Sequence, residues 1–138
     1  MGHFLVIAIR GIDARATPLR VICSPMETVL LVILAAAFGG AGIAKLAGVK
    51  MMRDNFERWP TPAWSRYVVG AIEVGIAVAA VIGLSGSGDA QQLAALLALW
   101  VMVGAIVVHA MAGDKLQEVA PALVLLFCAA LLLFTQQT

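Results

Sequence analysis

Four long apolar stretches, separated by polar connections, set the pattern of the chain. They cover about residues 27–49, 65–84, 92–112 and 119–134. A membrane-spanning helix needs roughly 20 mostly apolar residues, and lipid offers no partners for backbone N–H and C=O groups, so such spans have to be helical. The short connections after the second and third stretches make consecutive helices antiparallel neighbours. The pattern predicts an all-α, polytopic membrane protein built as an antiparallel four-transmembrane-helix bundle.

The fourth stretch is the shortest and carries Pro121 in its predicted opening turn, where proline is tolerated. A span of this length predicts local thinning of the bilayer or a nearly upright helix.

Small residues recur at every fourth position of the first two stretches and predict the faces along which these helices approach each other, because close packing drives helix association in lipid. The two predicted stripes consist of Ala36, Gly40 and Ala44 in the first stretch and of Ala71, Gly75, Ala79 and Gly83 in the second.

Composition agrees with a bilayer environment. The chain is 62% hydrophobic and 12% charged, against roughly 25% charged for a soluble domain. Its mean hydropathy is +1.00. A net charge of +1 without a basic patch excludes nucleic acid as a partner. The lipid bilayer is the partner that the sequence implies most directly.

The first 25 residues differ from the rest. Their only apolar run, HFLVIAI, is too short to span a membrane, and no long apolar core follows it as in a secretory signal. We expect a poorly ordered tail over 1–25 and a membrane domain over 26–138. Both Met1 and Met26 stay open as the start of the protein.

Basic residues predict the orientation. We call the face that holds connections 50–65 and 113–118 side B and the opposite face side A. Side B carries Lys50, Arg53, Arg58, Arg66 and Lys115, whereas side A has arginines only in the tail, at Arg10, Arg15 and Arg20. The positive-inside rule then places both side B loops in the cytoplasm and both termini outside, with the bacterial plasma membrane as the location.

The connection KMMRDNFERWPTPAW, residues 50–64, mixes charges with apolar residues. Trp59 and Trp64 fit the aromatic belt at a membrane surface. An amphipathic segment lying on that surface and a lid that gates a substrate both remain open.

Three ionisable residues interrupt the apolar stretches: Lys45, Glu73 and His109. The threading brings all three from different helices to side B at similar depth, about 6 to 13 Å inside the helix ends at 1.5 Å per residue. An ionised group near the bilayer centre costs at least about 2.5–3.5 kcal/mol. Glu73 is therefore expected to face the bundle interior and to pair with Lys45 or hydrogen-bond His109.

Each of these residues also has a structural interpretation. Lys45 can extend its ammonium to the headgroups, His109 can bond a carbonyl, and Glu73 can belong to a purely structural ion pair. A catalytic or ligand-binding site made from all three stands beside these alternatives. One Glu and one His supply too few ligands for a metal. Cys128 is expected to be a buried thiol, and its distance from Cys23 disfavours a redox pair.

The segments that carry these residues resemble the DoxX-like family of small four-helix bacterial membrane proteins. The resemblance covers about residues 30–133 and lies in three elements: AGIAKLAG at 41–48, GAIE at 70–73 and GAIVVH at 104–109. It implies a plasma-membrane bundle with Lys45, Glu73 and His109 at the matching positions. The family name comes from proteins associated with thiosulfate oxidation coupled to quinone, whereas other relatives resemble assembly factors.

The chain shows no haem-ligand pair, flavin fingerprint or CxxC, so a redox role would use a bound quinone or the cofactor of a partner protein. We expect a membrane subunit that supports redox chemistry through a lipophilic ligand such as a quinone, as part of a quinone-linked oxidoreductase if it is enzymatic. In that role Glu73 and His109 exchange protons with the ligand and Lys45 stabilises negative charge. The alternatives are a non-enzymatic scaffold or assembly factor and a small transporter, which would have to act as a homo-oligomer.

Overall fold

The computed structural model describes residues 23–137, and within them the chain forms five helices and no strand. The helices are α1 (Pro25–Ala47), α2 (Lys50–Arg58), α3 (Ser65–Gly83), α4 (Gly88–Ala112) and α5 (Leu116–Gln137). All but α2 are long and apolar enough to cross a membrane. The predicted all-α bundle of four spans is confirmed, and α2 is a short helix in the connection for which both an amphipathic surface segment and a lid remain open.

Most of the tail, including Arg10, Arg15 and Arg20, lies outside the described residues, so its predicted order and the proposed division at residue 25 stay predictions. Helix α1 begins at Pro25, one residue after Ser24. The Ser24 hydroxyl accepts a hydrogen bond from the Glu27 N–H at 3.2 Å, and the Glu27 carboxylate accepts one from the Ser24 N–H at 3.0 Å. This reciprocal cap satisfies two N–H groups that the first turn leaves without partners.

The fourth span is longer than the sequence predicts. Helix α5 has 22 residues, enough to cross a bilayer without thinning it. The hydropathy pattern missed its first turn because Gln117 and Glu118 are polar, yet an acidic residue at a helix N-terminus is favourable. The Glu118 carboxylate accepts a hydrogen bond from the Lys115 N–H at 3.1 Å, just before the helix begins. Pro121 consequently lies inside the helix rather than in its opening turn.

The spans pack in chain order, with α1 against α3, α3 against α4 and α4 against α5, while α1 and α5 close the bundle through a smaller contact. The tightly packed core lies in the half of the bundle nearer side A. Its fully buried members are Leu31, Leu34, Ile76, Ala80, Ala94, Ala95, Ala98, Ala129 and Leu132. The alanines of α4 let the neighbouring helices approach closely there.

The two predicted small-residue stripes form only a small part of the interface between α1 and α3. Ala79 and Gly83 at the end of the second stripe are buried, and a Cβ on Gly83 would come within 3.3 Å of Leu31 on α1. A Cβ added at Gly40 or Gly75 would meet nothing within 4 Å beyond its own stretch of helix. The close contact lies instead between Gly42 and Gly70, where a Cβ on Gly42 would come within 2.8 Å of the Gly70 carbonyl oxygen. Residues spaced four apart do share a helix face, but the rotation of each helix decides which glycines face the neighbouring helix. In α3 the buried face contains Glu73 and Ile76.

A polar cluster closes the bundle at side A. The buried Gln91 amide donates to the Gly83 carbonyl at 2.9 Å and contacts the Cys23 sulfur at 3.1 Å, and the Cys23 thiol donates to the same carbonyl at 3.3 Å. The Gln136 amide reaches the Gln91 oxygen at 3.4 Å. This cluster gives Cys23 a packing role. Cys128 is a buried free thiol in α5, as predicted.

Candidate functional site

A cavity of about 790 Å³ occupies the half of the bundle nearer side B. Residues from all five helices line it, and its walls reach from the α2 segment down to Ala37 on α1 and Val101 on α4. At 1.5 Å per residue this corresponds to about 15 Å of depth, half the thickness of a typical hydrocarbon core. The volume falls within the range of small-molecule sites, about 300–1,000 Å³.

The cavity wall is mostly apolar with ionisable groups inserted into it. Its apolar members are Ala37, Phe38, Ala41, Met51, Met52, Phe56, Trp59, Val69, Val101, Met102, Ala105, Val108, Pro121, Ala122 and Leu125. Lys45, Glu73 and His109, the three residues singled out from the sequence, all line it as well. The prediction that three helices bring these groups to one place at side B is confirmed, and their roles remain to be tested.

Lys45 and Glu73 form a buried ion pair between α1 and α3. The Lys45 Nζ lies 2.8 Å from Glu73 Oε2 and 3.0 Å from Oε1, and only 3% of Glu73 is exposed. Charge-assisted bonds to both oxygens offset much of the cost of removing the carboxylate from water. The expected inward orientation of Glu73 is therefore confirmed, with Lys45 rather than His109 as its partner.

Glycines allow this pair to form. A Cβ on Gly70, one turn before Glu73, would lie 3.0 Å from the Lys45 Cβ. A side chain at Gly42 or Gly70 would push α1 and α3 apart. The close approach of the two backbones is what brings the lysine side chain alongside the carboxylate.

Arg66 is a buried residue that the sequence analysis counted only as a basic loop residue. Its guanidinium donates to the Lys45 carbonyl oxygen and lies 4.3 Å from the centre of the Tyr67 ring. The last carbonyls of a helix lack intrahelical donors, and a cation there is favourable. Arg66 thus caps the C-terminus of α1 from α3. Its spacing of four and seven residues from Gly70 and Glu73 would have placed it on the same helix face.

His109 bonds to Asp114, a residue that the sequence analysis did not single out. The His109 Nδ1 lies 2.6 Å from Asp114 Oδ2, and the Trp59 indole N–H donates to the same oxygen at 3.1 Å. The Arg58 guanidinium donates to Oδ1. The Trp59 ring also meets the His109 ring edge to face, with centroids 4.9 Å apart. Trp59 therefore faces the cavity and bonds within the bundle, whereas Trp64, the other tryptophan of this connection, is exposed.

The Asp114 carboxylate joins the α2 segment to the end of α4. Burial raises the pKa of this carboxyl, but hydrogen bonds from His109, Trp59 and Arg58 and the charge of Arg58 outweigh it and hold the pKa below its usual value. Asp114 follows Gly113, whose left-handed backbone (φ 72°) ends α4 and turns the chain back toward His109. A carboxylate five residues after a histidine, across a glycine, was the signal available in the sequence.

Thr61 supplies a further polar group. Its hydroxyl oxygen is buried, and within residues 23–137 it has no hydrogen-bond partner. Thr61 lines the cavity at the turn that follows α2. In the same part of the chain no group of three or more His, Cys, Asp or Glu side chains is placed to hold a metal ion.

Comparison with known proteins gives one match. No curated protein and no solved structure matches the chain. A sequence profile of the DoxX-like family matches residues 29–132, a region that includes the four spans for most of their length, the ion pair and the histidine. The chain therefore belongs to the DoxX-like family.

Proposed function

We propose that this protein is a membrane subunit that binds a lipophilic ligand such as a quinone in the side B cavity and supports redox chemistry there. One observation carries the proposal: Lys45, Glu73 and His109 open onto a single, mostly apolar cavity of about 790 Å³. An apolar pocket with a few convergent polar groups is the usual form of a small-molecule site.

The residues present fit a quinone. Its ring and isoprenoid chain are apolar, as are the surfaces of Phe38, Met102 and Leu125 in the wall, and its two oxygens need polar partners. When bound, a quinone supplies a carrier of two electrons and two protons. In this proposal the Glu73 carboxylate and the His109 ring hold and move protons, and the Lys45 ammonium stabilises negative charge beside them. Electrons would come from or go to the cofactor of a partner protein.

The test is ligand retention by the purified protein. Small molecules extracted from protein purified out of bacterial membranes are identified by mass spectrometry, with a quinone expected. Glu73→Gln should lower the affinity for the reduced, hydroxyl-bearing form of the quinone about tenfold or more, because an ionised hydrogen-bond acceptor is lost. Glu57→Gln, at an exposed carboxylate of α2, is the matched control and should bind as the wild-type protein does. Absence of any quinone, together with unchanged affinity in Glu73→Gln, contradicts the proposal.

The proposal includes an orientation, with side B in the cytoplasm of a bacterium and the protein in its plasma membrane. The basic residues Lys50, Arg53 and Lys115 at side B support it. Single cysteines introduced into a cysteine-free variant test it with a membrane-impermeant maleimide. Ser85→Cys on side A should react in intact cells, and Asp54→Cys on side B should react only after lysis; the reverse pattern contradicts the orientation.

A scaffold or assembly factor is the second candidate, and the ion pair favours it. Both oxygens of Glu73 are bonded to Lys45 without a ligand, and Arg66 bonds the backbone, so these groups also serve to fix the arrangement of α1 and α3. In that case Glu73→Gln weakens the bundle without altering any ligand, and a polypeptide partner rather than a quinone co-purifies.

A further inference from the structure

The two nitrogens of the His109 ring differ in their bonding within the described residues. Its Nδ1 lies 2.6 Å from Asp114 Oδ2, and within residues 23–137 no partner is recorded for Nε2. His109 is also part of the cavity wall. In a neutral imidazole one nitrogen carries the proton and the other accepts, and the bonded group decides which is which.

Asp114 is held as an acceptor. The side chain has no exposed surface, and both of its oxygens receive hydrogen bonds, Oδ1 from Arg58 and Oδ2 from Trp59 and His109. An ionised carboxylate has no proton to donate. The shared hydrogen therefore sits on His109 Nδ1, so in the neutral ring it is Nε2 that carries the lone pair.

The Lys45–Glu73 pair adds a second acceptor to the cavity wall. Lys45, the cation deepest in the wall, directs its N–H groups at both oxygens of Glu73. The carboxylate retains lone pairs for a further donor, since two oxygens offer about four acceptor positions. A ligand that donates hydrogen bonds therefore meets two acceptors here, His109 Nε2 and Glu73.

We infer that Asp114 is a positioning residue that fixes His109 with Nε2 as an acceptor, so that the cavity selects a lipophilic ligand bearing an acidic hydroxyl, the hydroquinone form rather than the quinone. The inference rests on the proposed function and narrows it to one oxidation state. The arrangement matches a general rule for carboxylate–imidazole pairs, in which replacement of Asp by Asn keeps the geometry but presents the wrong tautomer. In Asp114→Asn the amide donates to Nδ1, and Nε2 becomes an N–H donor suited to a quinone carbonyl.

The tautomer is measured first, without any ligand. The chain has two histidines, so ¹⁵N-histidine labelling in a His3→Gln background leaves His109 as the source of the ring signals. At alkaline pH the wild-type ring should show a protonated Nδ1 and an unprotonated Nε2, and Asp114→Asn should show the reverse. A wild-type ring protonated on Nε2, or on both nitrogens, overturns the inference, and this measurement holds even if the variant fails to fold.

Binding is measured next, with a short-chain benzoquinone and its reduced hydroquinone as probes under anaerobic conditions. The wild-type protein should bind the hydroquinone about tenfold more tightly, the value of one hydrogen bond of about 1.4 kcal/mol, and Asp114→Asn should lose or reverse that preference. Asp54→Asn removes an exposed carboxylate of α2 and is the matched control, with the wild-type preference expected.

The outcomes separate the two proposals. If the wild-type protein binds neither probe, the proposed function fails and this inference fails with it. If the wild-type protein binds the quinone and the hydroquinone equally, the proposed function stands and the inferred selection of the hydroquinone by His109 is wrong. The same holds if Asp114→Asn inverts the His109 tautomer but still prefers the hydroquinone.

Discussion

Lys45 Nζ lies within 3.0 Å of both carboxylate oxygens of Glu73, and this bond joins the end of α1 to the middle of α3. Both residues are buried, so each charge depends on the other. The pair forms one wall of the cavity, and the Gly42 and Gly70 contact places the two backbones close enough for it to form. The pair therefore links the packing of α1 against α3 to the shape of the cavity.

The first prediction concerns the energy of this pair. Lys45→Met or Glu73→Gln alone leaves the opposite group without its partner, and loss of one member of a buried pair costs about 3–5 kcal/mol. The double variant removes both charges and should recover at least about 1 kcal/mol relative to the sum of the two single losses. Unfolding free energies in detergent micelles measure the cycle.

The control for this cycle is Lys50→Met, which disrupts the exposed pair between Lys50 and Asp54. Exposed pairs contribute little, about 0–1 kcal/mol, so this variant should unfold close to the wild-type protein. Additive losses in the double variant at Lys45 and Glu73 would show that the two residues do not stabilise each other.

The second prediction concerns the glycine contact. Gly42→Ala places a Cβ 2.8 Å from the Gly70 carbonyl oxygen and 2.9 Å from Val74, so α1 and α3 have to separate, at a cost of about 1–3 kcal/mol. Gly40→Ala on the same helix meets nothing within 4 Å and should be neutral or stabilising by up to about 1 kcal/mol, because alanine favours a helix. Equal stability of the two variants would contradict the assigned interface.

The spans and their order followed from the sequence because hydropathy and length decide them locally. The start of α5 was placed too late for the same reason, since a hydropathy average over a window does not register that Gln117 and Glu118 are acceptable in a first turn. The small-residue stripes were only partly right, since Gly83 contacts α1 whereas Gly40 and Gly75 meet no neighbouring helix. Spacing shows which residues share a helix face, but the rotation of that face toward a neighbour depends on contacts between distant segments, such as Gly42 with Gly70.

The part of the candidate site that could be predicted is the part that follows from the energetic cost of burying a charged side chain. A carboxylate inside an apolar run requires a partner, and this argument led to Glu73 and Lys45. The same argument could not identify the polar and aromatic residues around His109, because such residues are common in loops. Only the fold brings Asp114, Arg58 and Trp59 inward against the His109 ring. Arg66 escaped for a similar reason, since it stands at the first turn of α3 where basic residues normally face the headgroups.

The third prediction is a pH dependence of the bond between α2 and α4. The pKa of Asp114 lies below its usual 3.8 in the folded protein, so its contribution is fully present above that value and is lost as the pH falls through the lower, folded pKa. The stability difference between wild-type and Asp114→Asn proteins should be constant near neutral pH and shrink below 3.8. Fluorescence of Trp59, in a variant with Trp64 and Trp100 replaced by Phe, should change over the same pH range, because the Trp59 indole bonds to Asp114. If the stability difference between the two proteins grows on acidification, the prediction is wrong, because a carboxyl with a lowered pKa loses its stabilising effect at low pH.

The fourth prediction concerns Thr61, whose buried hydroxyl has no partner in the described part of the chain. An unsatisfied buried polar group costs about 1–3 kcal/mol, so Thr61→Val, which keeps the shape and removes the hydroxyl, should leave the ligand-free protein equally stable or more stable. Under the proposed function, the same change should weaken quinone or hydroquinone binding about five- to tenfold, because the hydroxyl would donate a hydrogen bond to an oxygen of the bound ligand. Thr135→Val removes a hydroxyl that bonds the Leu132 carbonyl at 2.8 Å near side A, so it should lose a little stability and no affinity. If Thr61→Val destabilises the ligand-free protein and binds the probes normally, the hydroxyl serves the fold and takes no part in recognition.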